Sequence, residues 1–200
     1  MAKNPNHPKP GSVIKVEPIR RPEDIELIRD LLKDKPRDLC IFNLGINTNL
    51  RAIDLVNLKI GQVRYLKPGE SLELRERKTK KRRTVLINNL SWQSIQNLLA
   101  SEKMKNSKDQ EYLFQSRNGK GMLRANTLNA MVKQWARSIN LPGNFGSQSL
   151  RKTWAVQHYF NKGTSLAHIM RFMNHSSERI SLEYLSITPQ SEIDILMQEI

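Results

Sequence analysis

Five side chains in this sequence are of the types that can act together on a phosphodiester. Arg51 ends Thr48-Asn49-Leu50-Arg51, with Asp54 three residues on. Lys78 opens a basic turn, Arg151 ends Gln148-Ser149-Leu150-Arg151, and Tyr184 follows His175 by nine positions. A phosphodiester needs a nucleophile, stabilisation of charge on its non-bridging oxygens, and a proton for the departing sugar oxygen. Guanidinium groups present planar forks that match phosphate oxygens and stay charged at neutral pH. A lysine in a crowd of cations can serve as the acid, because like charges lower its pKa. Each residue taken alone has a plainer reading: a solvated arginine, a loop lysine, a helix-flanking histidine, a half-buried tyrosine. Their order and spacing weigh against that set of coincidences. Both arginines also lie in apolar helical contexts, where a charge needs a partner, and Asp54 is placed to buttress Arg51 within one turn.

These residues must be carried by a mainly helical α+β chain. Pro22 begins a helix with Glu23 and Asp24 at its positive end and Ile25, Ile28, Leu31 and Leu32 as its stripe. Pro36 begins a second helix, and a third starts near Arg51. The period then changes. Ser71–Arg75 and Thr84–Ile87 alternate as strands, and a strand near Gln62–Tyr65 is expected to complete a small antiparallel sheet of about three strands. Between the clear pair runs the cationic stretch of Arg75, Arg77, Lys78, Lys80, Lys81, Arg82 and Arg83. Helical patterning returns at Leu90–Leu99, Thr127–Ile139, Leu150–Phe160 and Ser165–Met173, and from about Glu178 on a helix bearing Tyr184. Tyr112-Leu113-Phe114 is expected to be extended, with a turn at Asn118-Gly119. Ser191 and Asp194 suit a capping box opening a last helix.

Composition narrows the partners. The 200 residues include 33 Lys and Arg against 19 Asp and Glu, a formal net charge of +14. An excess of that size points to a polyanion, with nucleic acid the first candidate. The lone Cys40 rules out an intramolecular disulfide and reads as a small buried hydrophobe. Four scattered histidines give no zinc spacing. The absence of an apolar h-region or a membrane-length apolar run leads us to expect a cytoplasmic protein, in a bacterium one associated with the nucleoid. Residues 1–20, with four prolines and several lysines, are expected to form a flexible basic arm ahead of a domain over 21–200.

From Pro22 to Pro189 the ordered set resembles the catalytic domain of the tyrosine recombinases, or phage integrases. The resemblance implies a helical bundle with the small sheet at one side, double-stranded DNA as substrate, no metal or other cofactor, and a 3′-phosphotyrosyl intermediate. Tyr184 would be the nucleophile, Arg51 and Arg151 would grip the phosphate, Lys78 would be the general acid, and His175 would donate to the phosphate. Lys80 or Lys81 takes the acid's place if the hairpin register slips. The basic hairpin residues and Lys152 are expected to contact DNA. Tetramers on paired sites, docked through a helix over residues 191–200, are a further implication.

The sequence departs from the family pattern at three positions. Gln148 stands where a histidine is usual; it can donate a hydrogen bond but cannot take a full proton near neutral pH. Asn49 and Asn174 replace glycines, and Asn is the side chain that best tolerates a left-handed backbone. A separate core-binding domain is not expected within this sequence. In size it is similar to the compact fimbrial inversion recombinases, or to a domain taken from a longer protein. The alternatives are a catalytically weakened DNA-binding protein on the same scaffold, favoured by Gln148, a type IB topoisomerase, and a basic RNA-binding protein. The last explains the charge but not the ordered residues.

Overall fold

The structure is a computed structural model and describes residues 15–78, 80–116, 121–187 and 197. Helices α1 (Pro22–Leu32) and α2 (Pro36–Asn47) both begin on a proline, whose fixed φ and missing N–H suit a first turn. Helix α2 is the axis of the molecule. From Cys40 to Ile46 every side of it is covered, by α1, by α4 (Asn89–Ala100) and by α6 (Ser147–Val156). At Gly45 the approach of α6 is so close that a Cβ would lie 2.6 Å from a Leu150 methyl. A glycine is therefore required there, and the residue after Leu150 is Arg151. The Phe42 ring meets Trp135, on α5 (Ala125–Ser138), edge to face at 6.1 Å.

The sheet has two antiparallel strands among the described residues, β1 (Ser71–Arg75) and β2 (Arg82–Leu86), paired from Ser71↔Leu86 to Arg75↔Arg82. The third strand expected near Gln62–Tyr65 is absent. Ile60–Gln62 is a 3-10 turn instead, because its hydrogen bonds close locally. Val63 and Arg64 N–H both donate to Ile60 O, and the Gln62 side chain accepts from Lys59 N–H. The hairpin is held by burying Leu72, Val85 and Ile87 in the core, the kind of support a two-stranded unit needs. The extended Tyr112–Phe114 piece forms only a single bridge, Lys59↔Tyr112. The expected turn at Asn118-Gly119 lies outside the described residues.

Two apolar clusters result. The larger gathers α1 to α5, the hairpin and Leu150. The smaller consists of Trp154, Ala155, Val156, Ile169, Met173 and Leu185, with Tyr184 packed against it. It is built from the end of α6, α7 (Leu166–Met173) and α8 (Glu178–Leu185). Helix α6 belongs to both and is buried along Ser149–Val156; it then widens into a π-helical turn over Gln157–Asn161.

Part of the expected N-terminal arm is docked. Ile19 is buried, its N–H donates to Thr153 Oγ1 at 2.8 Å, and Gln157 donates to the carbonyls of Ile19 and Arg20. The apolar side chain of Ile19 is what draws this basic stretch onto α6. Residues 1–14 and the expected helix over 191–200, apart from the exposed Met197, lie outside the described residues. No helix among the described residues is long and apolar enough to cross a membrane.

Candidate active site

The seam between the two clusters brings Arg51, Arg151, His175 and Tyr184 together. Arg151 sits where α6 passes from one cluster to the other and is 5 % exposed. Its Nη2 donates to Met173 O at 2.8 Å, and its Nη1 has no hydrogen-bond partner among the described residues. Burial pushes its pKa down to about 10, which leaves it cationic at neutral pH; Tyr184 opposes that shift, while Arg83 and Arg51 add to it. A buried guanidinium with a donor unspent is a site for an anion.

Arg51 precedes α3 (Ala52–Val56) with extended backbone, so its side chain leaves the helix start instead of running along it. Its ion pair is with Glu76. This corrects the expected Asp54 partnership. Asp54 is buried and accepts instead from the Arg77 N–H at 2.8 Å, anchoring the hairpin turn one residue before Lys78. The sequence reading missed Glu76. The signal was available: Leu72, Leu74, Val85 and Ile87 define the inward face of the hairpin, and alternation places Glu76 and Arg83 on it.

The left-handed backbone expected at the two asparagines is present, with φ 54° at Asn49 and 56° at Asn174. Asn174 ends α7 in the left-handed conformation that turns the chain to His175. The His175 ring stands 5.1 Å from that of Tyr184, and its Nδ1 is 2.9 Å from the buried Ser181 hydroxyl. Burial, reinforced by Arg151 and Arg51, holds its pKa down at about 4, so the imidazole is neutral near pH 7. Tyr184 is half-buried on α8. Burial raises its pKa; the positive charges of Arg151 and Arg51 pull the other way. The phenol therefore keeps its proton at neutral pH while lying beside the cations that would stabilise its anion.

The other expected site residues differ in exposure. Gln148 is exposed in the first turn of α6. Lys78 is exposed on the hairpin turn, and Arg75, Arg77, Lys80, Lys81 and Arg82 are exposed around it. Lys80 has φ 60°, and Arg75 Nε donates to its carbonyl at 2.7 Å. Two residues expected on the DNA face are internal. Lys152 is buried, because α6 is enclosed on all sides, and its ammonium lies over the Tyr184 ring, 5.4 Å from the centroid. Arg83 turns inward with Glu76, to which Nη1 bonds at 2.8 Å; Nη2 donates to Asn49 O at 2.9 Å and to Phe172 O at 3.2 Å.

The model of the phage integrase family matches residues 21–191. This chain belongs to that family. It is 32 % identical over 173 residues to a probable integrase/recombinase of Bacillus subtilis, YoeC, covering 86 % of this chain and 90 % of that protein. It is 29 % identical over 165 residues to the tyrosine recombinase XerA of Pyrococcus furiosus, covering 82 % of this chain but 54 % of that one. The fold matches a crystal structure of XerA recombinase with a TM-score of 0.73 at 18 % identity, over 92 % of this chain and 66 % of that one. It matches XerH bound to a palindromic difH substrate with a TM-score of 0.70 at 18 % identity, over 91 % and 53 % of the two chains. Against these XerA and XerH proteins, then, this integrase-family chain spans about half to two thirds of their length. The expected α+β catalytic-domain fold is the one observed, with a sheet one strand smaller than expected.

Proposed function

We propose that this protein cuts and rejoins double-stranded DNA as a site-specific recombinase, through a phosphotyrosyl intermediate. The observation that carries the proposal is the gathering of Arg51 and Arg151 about Tyr184 at the seam, with a buried Arg151 donor unspent. The Tyr184 oxygen attacks phosphorus and gives its proton to solvent water as the P–O5′ bond breaks. The 3′-phosphate stays on the tyrosine, and the departing O5′ takes a proton from the Lys78 ammonium. Arg51 and Arg151 stabilise the negative charge that builds on the non-bridging oxygens. Neutral His175 donates from Nε2 if Ser181 donates to Nδ1, which fixes that tautomer. Rejoining is the reverse, with a different 5′-hydroxyl as the attacking group. On this reading the protein assembles as a tetramer on paired sites through residues 191–200.

The test uses nicked duplexes built on sequences recovered by selecting binders from a random-sequence DNA pool. A covalent protein–DNA band on denaturing gels that vanishes in Tyr184→Phe supports the proposal. Tight binding with no band at any nick position rejects it in favour of a weakened DNA-binding protein. Gln148 favours that second reading in one respect: its amide cannot take up the phenol proton as a histidine could. Gln148→His separates the two, since it raises cleavage only if the rest of the site is assembled.

A further inference from the structure

Among the basic residues of the hairpin, Arg83 is set apart by its contacts. Its side chain is only 11 % exposed and donates to three acceptors from three parts of the fold. These are the Glu76 carboxylate across the hairpin, the carbonyl of Asn49 two residues before Arg51, and the carbonyl of Phe172 at the end of α7. Glu76 is itself 2 % exposed and shared between Arg83 and Arg51. A cation that spends its donors on buried acceptors has little left for a DNA backbone. We infer that Arg83, acting with Glu76, is a positioning residue. It fixes the hairpin against the seam so that Lys78 meets the leaving O5′. The inference rests on the recombinase reading above.

The geometry gives the reason. Lys78 is exposed on a six-residue turn between β1 and β2, and its side chain is long and flexible. General acid catalysis requires the ammonium within hydrogen-bond reach of one oxygen. The turn is tied down at its base, by Glu76 N–H on Lys81 O and by Arg77 N–H on Asp54. Those bonds set the shape of the turn and hold it to α3. Arg83 and Glu76 supply the link to α7, and so to the segment that leads into His175 and Tyr184. Arginine suits the task because its planar fork reaches several acceptors in fixed directions, which a lysine cannot do.

The test measures single-turnover cleavage of two nicked duplexes by the full chain. One has an ordinary scissile phosphodiester, and the other has sulfur in place of the bridging O5′. A thiolate departs without a proton, since thiols ionise near neutral pH. The sulfur duplex therefore bypasses the acid. Lys78→Ala should lose on the order of 10²–10⁴-fold on the oxygen duplex and recover most of it on the sulfur duplex. Arg83→Lys and Arg83→Gln should follow the same pattern: a loss of at least about tenfold on oxygen, recovered to within a few-fold of wild type on sulfur. Equal losses on both duplexes would show that Arg83 acts through the arginines or the nucleophile, and would overturn the inference. So would failure of both variants to fold, which would make the pair a stability element. Wild-type protein that forms no adduct on either duplex overturns the recombinase reading itself, whereas a wild-type adduct with unsuppressed variants overturns only this inference.

Discussion

The two apolar clusters differ in size and in what they carry. The large one buries α2 on all sides and fixes Arg51 and the hairpin. The small one has six buried apolar residues and carries His175 and Tyr184 on and beside short helices, both of which end in left-handed residues, Asn174 and Ser186. The contacts across the seam are largely polar. Three donors from the larger side, Asn49 Nδ2, Arg83 Nη2 and Arg151 Nη2, meet the last carbonyls of α7 at Phe172 and Met173. Helix ends leave such carbonyls without intrahelical partners, and cationic side chains satisfy them well. The lesson is that Arg51 stands on the larger body, while Tyr184, the proposed nucleophile, stands on a lighter one joined to it by a few directed bonds. A smaller cluster has less to lose by opening locally.

The largest expected effects test whether the seam is the reaction centre. Tyr184→Phe should abolish the covalent adduct while leaving DNA binding within a few-fold of wild type, as read by gel shift. Arg151→Ala should reduce cleavage on the order of 10²–10³-fold, much more than it weakens binding. If Arg151→Ala weakened binding and cleavage by the same factor, the buried arginine would be a general DNA contact and the comparison would fail.

Next come truncations in the two clusters. Phe42→Ala in α2 should lower global stability by ~3–5 kcal/mol in urea unfolding, since the ring is fully buried against Trp135. Leu185→Ala, also fully buried, should speed amide exchange in α8 and lower cleavage more than it lowers the urea midpoint. Equal global costs with no local change in exchange would mean that the two clusters unfold as one unit.

Acid should act on the small cluster first. The His175 pKa is about 4 in the fold, against an ordinary 6.5, so the unfolded chain takes up the proton first as pH falls. The stability linked to this site is complete above about pH 6.5 and is lost as pH drops toward about 4. The groups facing the ring are Arg151, Arg51, Tyr184 and the Ser181 hydroxyl, and none of them gains charge in that window. The ring is half-buried, so solvent softens the slope. His175→Gln should flatten the melting temperature between pH 6.5 and 4 relative to wild type. An unchanged slope in that variant would assign the acid sensitivity to other groups.

Much of the larger body was legible because its rules are local. Pro22 and Pro36 mark their helix starts correctly, and strict alternation finds the hairpin. What was not legible is how side chains turn. Asp54 lies three residues from Arg51 in sequence, yet the extended backbone at Arg51 sends that arginine to Glu76. Lys152 and Arg83 count as surface charge in any composition, and only the enclosure of α6 and the inward face of the hairpin show that they are internal. The third strand failed for a similar reason. Gln62 spends its side chain on Lys59 N–H, and that local bond closes a turn where a ladder was expected.

The smallest effect gives a sharp contrast, because two asparagines share one backbone conformation and differ in what their side chains hold. Asn49 and Asn174 both have φ near 55°, where glycine is the unstrained residue. Asn49 is buried and its Nδ2 donates to Phe172 O at 2.9 Å, so it is one of the three bonds to the end of α7. The Asn174 side chain is exposed and makes no such bond among the described residues. Replacement by glycine relieves the same backbone strain at both sites. At Asn174 that relief is all that changes in the fold, so Asn174→Gly should be neutral or stabilising by a few tenths of a kcal/mol, roughly the span of a cap exchange. At Asn49 the lost bond outweighs the relief, because Phe172 O keeps only the longer Arg83 contact; Asn49→Gly should cost about 1 kcal/mol. That cost should appear as faster amide exchange in α7 and α8, with little change in α2. Matching stabilities for the two variants would mean that the seam is held by packing alone, and the polar ties would lose their part in joining the layer of Tyr184 to the body that carries Arg51.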